Sequence, residues 1–260
     1  MNTQYTIILG AEGELGRAMA REIARKGCNL ILVSTTSIDL QRFAIQLQLK
    51  YEIQANAVKL DLSNHEEIQS FSKTIKDQYE LRALINNITC DWSLAQNRCI
   101  SELAEADFQT RFRGAALLTW GLLQQMSKLP AAYIQHFIPF PFRKEQFSPE
   151  LQHSVAKMYA FTKELEEELK HTGVSVSMVH PAPVKNIMQE LENVGRLFEE
   201  DIQSLAPALI AMKAVRGMLR GDRLIIPGFR NKVLFYLNRH ATSWFRSDEE
   251  AFDQGLQPSM

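Results

Sequence analysis

Seven short apolar runs punctuate the chain: Thr6–Leu9, Asn29–Val33, Ala55–Leu60, Leu81–Asn86, Ala132–Ile138, Val174–Val179 and Leu224–Ile226. Between them, apolar positions recur at helical spacing in stretches beginning near Glu14, Ser37, Asn64, Ser101, Glu150, Val184 and Asp201. Several runs are apolar without a break rather than alternating, as expected of strands covered on both faces. This alternation predicts an α/β fold. Its form is a Rossmann-like, doubly wound, seven-stranded parallel sheet with helices on both faces and right-handed crossovers. One composition shift follows Pro227-Gly228. It divides a domain over residues 1–228 from a basic, aromatic tail over 229–260, which is expected to pack on the domain or a subunit interface.

The chain has 260 residues, enough for one buried core without a second domain. A net charge of −1 argues against a general binder of nucleic acid or anionic membranes. Cys28, Cys90 and Cys99 cannot pair completely and lack metal-ligand spacing, which suits free thiols in a reducing compartment. Neither a signal-peptide pattern nor an apolar run of membrane-spanning length is visible, so a cytoplasmic location is expected.

Candidate chemistry begins at the first strand. Tyr5-Thr-Ile-Ile-Leu-Gly10-Ala-Glu-Gly13-Glu-Leu-Gly16 reads as a strand, a glycine-punctuated turn and a helix start. Such a turn lets backbone amides and the helix dipole face a dinucleotide pyrophosphate. Glu12 and Glu14 complicate that reading. A carboxylate about 5 Å from a phosphate charge opposes it by roughly 3 kcal/mol at an effective dielectric near 20. An acidic first turn also favours the helix dipole by itself.

Further motifs give the chain a recognisable pattern. Asp61-Leu62-Ser63 follows the third strand, and Leu84-Ile-Asn86-Asn87-Ile-Thr closes the fourth. Phe161-Thr-Lys-Glu-Leu-Glu-Glu-Glu-Leu, Gly173-Val-Ser-Val and His180-Pro181 come later, and Leu224-Ile-Ile-Pro-Gly-Phe-Arg-Asn-Lys-Val-Leu ends the domain. With the glycine turn, these resemble the short-chain dehydrogenase/reductase superfamily over roughly residues 3–228. The resemblance implies NAD or NADP as cofactor, with Gly10, Glu12, Gly13, Leu15, Gly16, Thr35, Asp61, Leu62 and Asn87 at the cofactor positions. It also implies a homodimer or homotetramer built on the long helices near Ser101 and Glu150. Departures are present. Leu9 stands for a threonine, Glu14 for a glycine and Pro181-Ala182-Pro183 for a Pro-Gly turn, and Asn186 stands where a threonine often meets the nicotinamide. Ser34-Thr35-Thr36-Ser37 carries neither the acid expected for NAD nor an arginine for NADP.

The family's chemistry uses a tyrosine as acid/base, a lysine in a Tyr-x-x-x-Lys spacing, a serine and an asparagine. Counted back without gaps from Phe161-Thr-Lys and Gly173, these positions hold Leu151, Val155 and Ile138. Counting from Met126 puts Arg111 in the asparagine's place. Neither Leu151 nor Ile138 can move a proton. A two-residue shift makes His153 and Lys157 the candidate acid/base pair, and an unperturbed histidine titrates near neutrality. That shift rotates a helical side chain by about 200°. Tyr159 and Lys163 match the spacing literally, but lie roughly 12 Å along the helix from the expected position. Leu151, Val155, Met158, Thr162, Leu165 and Leu169 form one stripe, with His153 and Lys157 off it. The stripe favours a core filled where catalysis would sit.

The tail carries Arg230, Lys232, Arg239 and Arg246 among Phe229, Phe235, Tyr236, Trp244 and Phe245, and acidic Ser247-Asp-Glu-Glu follows. Capping of the fold or of a subunit interface is expected ahead of membrane contact. The expectation overall is a catalytically impaired family member acting as a ligand-responsive or partner-binding scaffold. The alternatives are an NAD(P)H-dependent carbonyl reductase using His153 and Lys157, and a peripheral membrane or interaction module working through the tail.

Overall fold

The computed structural model describes residues 4–35, 40–88, 102–138, 149–181 and 207–239. Strands β1 (Gln4–Leu9), β2 (Asn29–Ser34), β3 (Ala55–Lys59), β4 (Glu80–Asn86), β5 (Ala132–Phe137), β6 (Val174–Val179) and β7 (Leu224–Ile225) form one parallel sheet. Their order is β3-β2-β1-β4-β5-β6-β7. The helices are α1 (Glu14–Ala24), α2 (Leu40–Tyr51), α3 (His65–Gln78), α4 (Glu102–Met126), α5 (Pro149–Leu169), α6 (Pro207–Arg220) and α7 (Phe229–Arg239).

The sheet explains the apolar runs. In β1, Ile7 and Leu9 enter a core beneath α3, α4 and α5, while Ile8 enters a second core beneath α1, α2 and α6. With both faces covered, alternation has no use and every position tends to be apolar. Helix starts follow local chemistry. Asn64 caps α3 through its Oδ1, which accepts from the amides of Glu66 and Glu67, while Glu67 reaches back to Asn64 Nδ2 at 3.2 Å. That exchange departs from a capping box, since Glu67 accepts from the side chain of Asn64 while the Asn64 amide donates to the Asp61 carbonyl at 3.1 Å.

Some boundaries differ from the sequence reading. The third strand stops at Lys59, the fifth at Phe137 and the seventh at Ile225, so Leu60, Ile138 and Ile226 lie just beyond the sheet. Residues 36–39 lie outside the described residues, and α2 is described from Leu40. The helix expected near Val184, and the start of the one near Asp201, also fall outside them. Helix α7 carries the first residues of the tail. No helix among the described residues is long and apolar enough to cross a membrane.

Candidate active site at the sheet switch point

From β1 the chain runs outward to β2 and β3; from β4 it runs the other way to β7. Ligands in doubly wound sheets bind outside the carboxyl ends of the strands where the order reverses. Here that point lies between Leu9-Gly10 and Asn86-Asn87. Gly10 takes φ 67°, a left-handed turn suited to glycine. Asn87 closes on it: its amide donates to the Leu9 carbonyl at 3.3 Å and its Nδ2 to the Gly10 carbonyl at 3.2 Å. Gly13 is the N-cap of α1, and no side chain caps that helix start. Gly16 is buried one turn further on, and Leu15 is half-buried. This geometry suits an anion, since amides of the first helical turn lack intrahelical partners.

The two glutamates behave differently. Glu14 is exposed in the first turn of α1. Glu12 is partly buried; its Oε2 is shielded from solvent and has no hydrogen-bond partner among the described residues. Its backbone carbonyl accepts from Arg17 Nε at 3.1 Å.

On the adenosine side, Thr35 follows β2, and Asp61-Leu62 follows β3. Leu62 is buried, whereas Asp61 is exposed and turned onto its own loop. Its Oδ1 accepts from the Ser63 amide at 2.8 Å and from Ser63 Oγ at 2.7 Å, and these bonds hold its pKa below the usual carboxylate value. The start of α1 therefore suits an anionic group such as a pyrophosphate, with the Glu12 carboxylate set against it, while Asp61 is engaged by its own loop. Pro183 and Asn186, together with residues 89–101 and 139–148, lie outside the described residues.

The acid/base positions sort by burial. Ile138, at the end of β5, is fully buried in the core beneath α3–α5, and Val155 on α5 joins the same core. Ser154 beside Val155 is buried as well, as are Met158, Thr162, Leu165 and Leu169. Leu151 lies in α5, with its side chain outside the described set. His153 and Lys157 are both exposed. Arg111 on α4 pairs with Asp107 at 2.8 Å. Tyr159 is half-buried and packs between two apolar clusters, while Lys163 is exposed and pairs with Glu166 at 3.3 Å.

Two buried histidines were not singled out in the sequence. His136, in β5, sets Nδ1 2.7 Å from Thr162 Oγ1. Because Thr162 Oγ1 donates to the Met158 carbonyl, the histidine Nδ1–H is the donor between them. His180 sets Nδ1 2.8 Å from the Ile138 carbonyl oxygen, tying the end of β6 to the residue that follows β5. Its ring stacks with those of Tyr159 and Phe235, at centroid distances of 6.5 Å and 5.5 Å. Burial pushes both imidazoles down to about pKa 4, so they are neutral near pH 7. The His180-Pro181 pair was the one available signal; nothing local marks His136. No cluster of metal-ligating side chains occurs among the described residues.

Comparison with known proteins agrees with this geometry. The chain is 26% identical over 201 residues to human retinol dehydrogenase 12, a match spanning 70% of this chain and 62% of that protein. The fold matches a short-chain dehydrogenase from Sphingobium yanoikuyae in complex with NADPH (TM-score 0.73, 16% identity, 99% of this chain and 98% of that one). It also matches a short chain dehydrogenase/reductase from Burkholderia phymatum in complex with NAD (TM-score 0.69, 16% identity, 100% and 97%). A model of the short chain dehydrogenase family matches residues 4–134, and the chain belongs to that family.

Proposed function

We propose that this chain keeps the family's dinucleotide site but not its tyrosine-based hydride transfer, and serves as a ligand-responsive or partner-binding scaffold. The observation that carries the reading is the burial in one apolar core of Val155 and Ile138, which gapless counting aligns with the family's lysine and serine. Neither apolar side chain offers a proton or a hydrogen bond to a ribose hydroxyl or a substrate oxygen. The gapless register is supported by α5 itself. Ser154 and Val155 face inward, while His153 and Lys157 face solvent, where no described wall would exclude water from a proton transfer. Dinucleotide binding is supported by the uncapped start of α1, the left-handed Gly10 and the sheet switch point. When bound, such a cofactor supplies a hydride donor or acceptor. Thr35, Asp61, Leu62 and Asn87 would lie along its adenosine half, and Gly10, Gly13, Leu15 and Gly16 along its phosphates.

Assembly into a homodimer or homotetramer along α4 and α5 belongs to the same proposal. It is supported by Trp120 on α4, which leaves 59% of its surface exposed on the single chain. Light scattering would test it.

The functional test is calorimetric titration of nucleotide-free protein with NADH and NADPH, followed by a carbonyl-substrate screen. Binding of either nucleotide without turnover is the expected outcome. Turnover abolished by His153→Ala or Lys157→Ala would replace this reading with that of a reductase using a shifted acid/base pair. Failure of both nucleotides to bind at millimolar concentration would leave a partner-binding scaffold alone.

A further inference from the structure

Helix α7 has two unlike faces. The inner face holds Asn231 and Phe235, which are 1% and 2% exposed. Asn231 Nδ2 donates to the Pro227 carbonyl at 2.7 Å, and Phe235 stacks on His180. The outer face carries Phe229, Val233 and Tyr236, which are 72%, 42% and 47% exposed. Their spacing places them in one stripe along the helix. At about 100° per residue, positions 230 and 232 fall on opposite flanks of that stripe, with position 239 beside 232. Those positions are Arg230, Lys232 and Arg239, and no acidic residue occurs between Phe229 and Arg239. The wider segment is equally one-sided: residues 207–239 hold seven basic residues and one acid, Asp222, in a chain whose net charge is −1.

An exposed aromatic and aliphatic stripe with cationic flanks is matched to one kind of surface. Its apolar side chains can enter the boundary between headgroups and acyl chains while lysine and arginine meet lipid phosphates. A second copy of the same helix would instead bring like charges together, which opposes association. We infer that the outer face of α7 rests in the plane of an anionic phospholipid bilayer and holds the domain at that surface without crossing it. This inference does not depend on the proposed dinucleotide site. The inner face sets the geometry: with Phe235 docked on His180 and Tyr236 edge-on to Phe235 at 5.6 Å, the stripe cannot roll inward.

The test is co-sedimentation of the full chain with vesicles of phosphatidylcholine alone and of phosphatidylcholine with about one-third phosphatidylserine. Binding to the anionic vesicles only, weakened by added salt, is expected. Val233→Asp combined with Tyr236→Asp should lower partitioning roughly tenfold or more, and Lys232→Glu by a similar factor. All three side chains are exposed, so the variants should keep the wild-type circular dichroism spectrum. The inference is overturned by no binding to anionic vesicles, by equal binding to neutral ones, or by unchanged binding of the variants. A dimer that ignores vesicles and dissociates on the double substitution would overturn it equally, making α7 a subunit contact.

Discussion

Gly10 and Asn87 interlock across the two central strands. Asn87 Nδ2 donates to the Gly10 carbonyl, and a Cβ added to Gly10 would lie 1.9 Å from the Asn87 carbonyl oxygen. A Cβ on Gly16 would lie 2.1 Å from the Gly10 carbonyl oxygen. Both collisions are with backbone, so the turn needs its glycines for folding before any nucleotide arrives.

Gly10→Ala therefore meets a clash and a left-handed φ together. Its expected cost is about 3 kcal/mol or more, measured by urea unfolding without nucleotide. A variant within about 1 kcal/mol of wild type would show that the turn can relax and that its glycines serve the ligand instead.

Glu12 should weaken dinucleotide binding through the carboxylate oxygen shielded at the turn. Glu12→Gln keeps the shape and removes the charge. Affinity for NADH or NADPH is expected to rise about tenfold by calorimetry, less than the unscreened Coulomb figure because the residue is only partly buried. Unchanged affinity would place the carboxylate clear of the phosphates.

Acid should destabilise the fold through His136 and His180. Both titrate at about 4 when folded, against 6.5 in the unfolded chain. Between those values the unfolded state binds more protons. Stability is thus full above about pH 6.5, falls as pH drops towards 4 and levels off below, losing up to about 3 kcal/mol per ring. His136→Phe should make the urea midpoint less dependent on pH between 7 and 5. An equally steep dependence would assign the effect to other groups.

Phe235→Ala should undock α7. Removing this buried ring is expected to cost about 3 kcal/mol and to open His180 to water. The His180 pKa, followed by NMR, should then climb from about 4 towards 6.5. A His180 that still titrates near 4 in the variant would show that β6 and the Ile138 contact shield it without α7.

The strands were readable because a parallel sheet covered on both faces leaves unbroken apolar runs; β6 was expected over Val174–Val179 and spans those residues. The buried side of α5 was equally plain at Val155, Met158, Thr162, Leu165 and Leu169, because helical periodicity is local. The burial of His136 and His180 was not legible for the opposite reason. Their partners, Thr162 and Ile138, are 26 and 42 residues away, and a polar residue reads as exposed until such partners are known.

The same distinction runs through the whole molecule. Local pattern dictated the α/β alternation, the glycine turn at Gly10 and the apolar character of Ile138 and Val155, since each rests on neighbours in sequence. Long-range packing chose the rest: the pairing of β1 with β4 that brings Asn87 onto Gly10, and the burial of His136 and His180. The tail is the clearest case. Its composition blends basic and aromatic residues without direction. Only the docking of Phe235 against His180, from opposite ends of a 55-residue separation, turns Asn231 inward and leaves Phe229, Val233 and Tyr236 facing out.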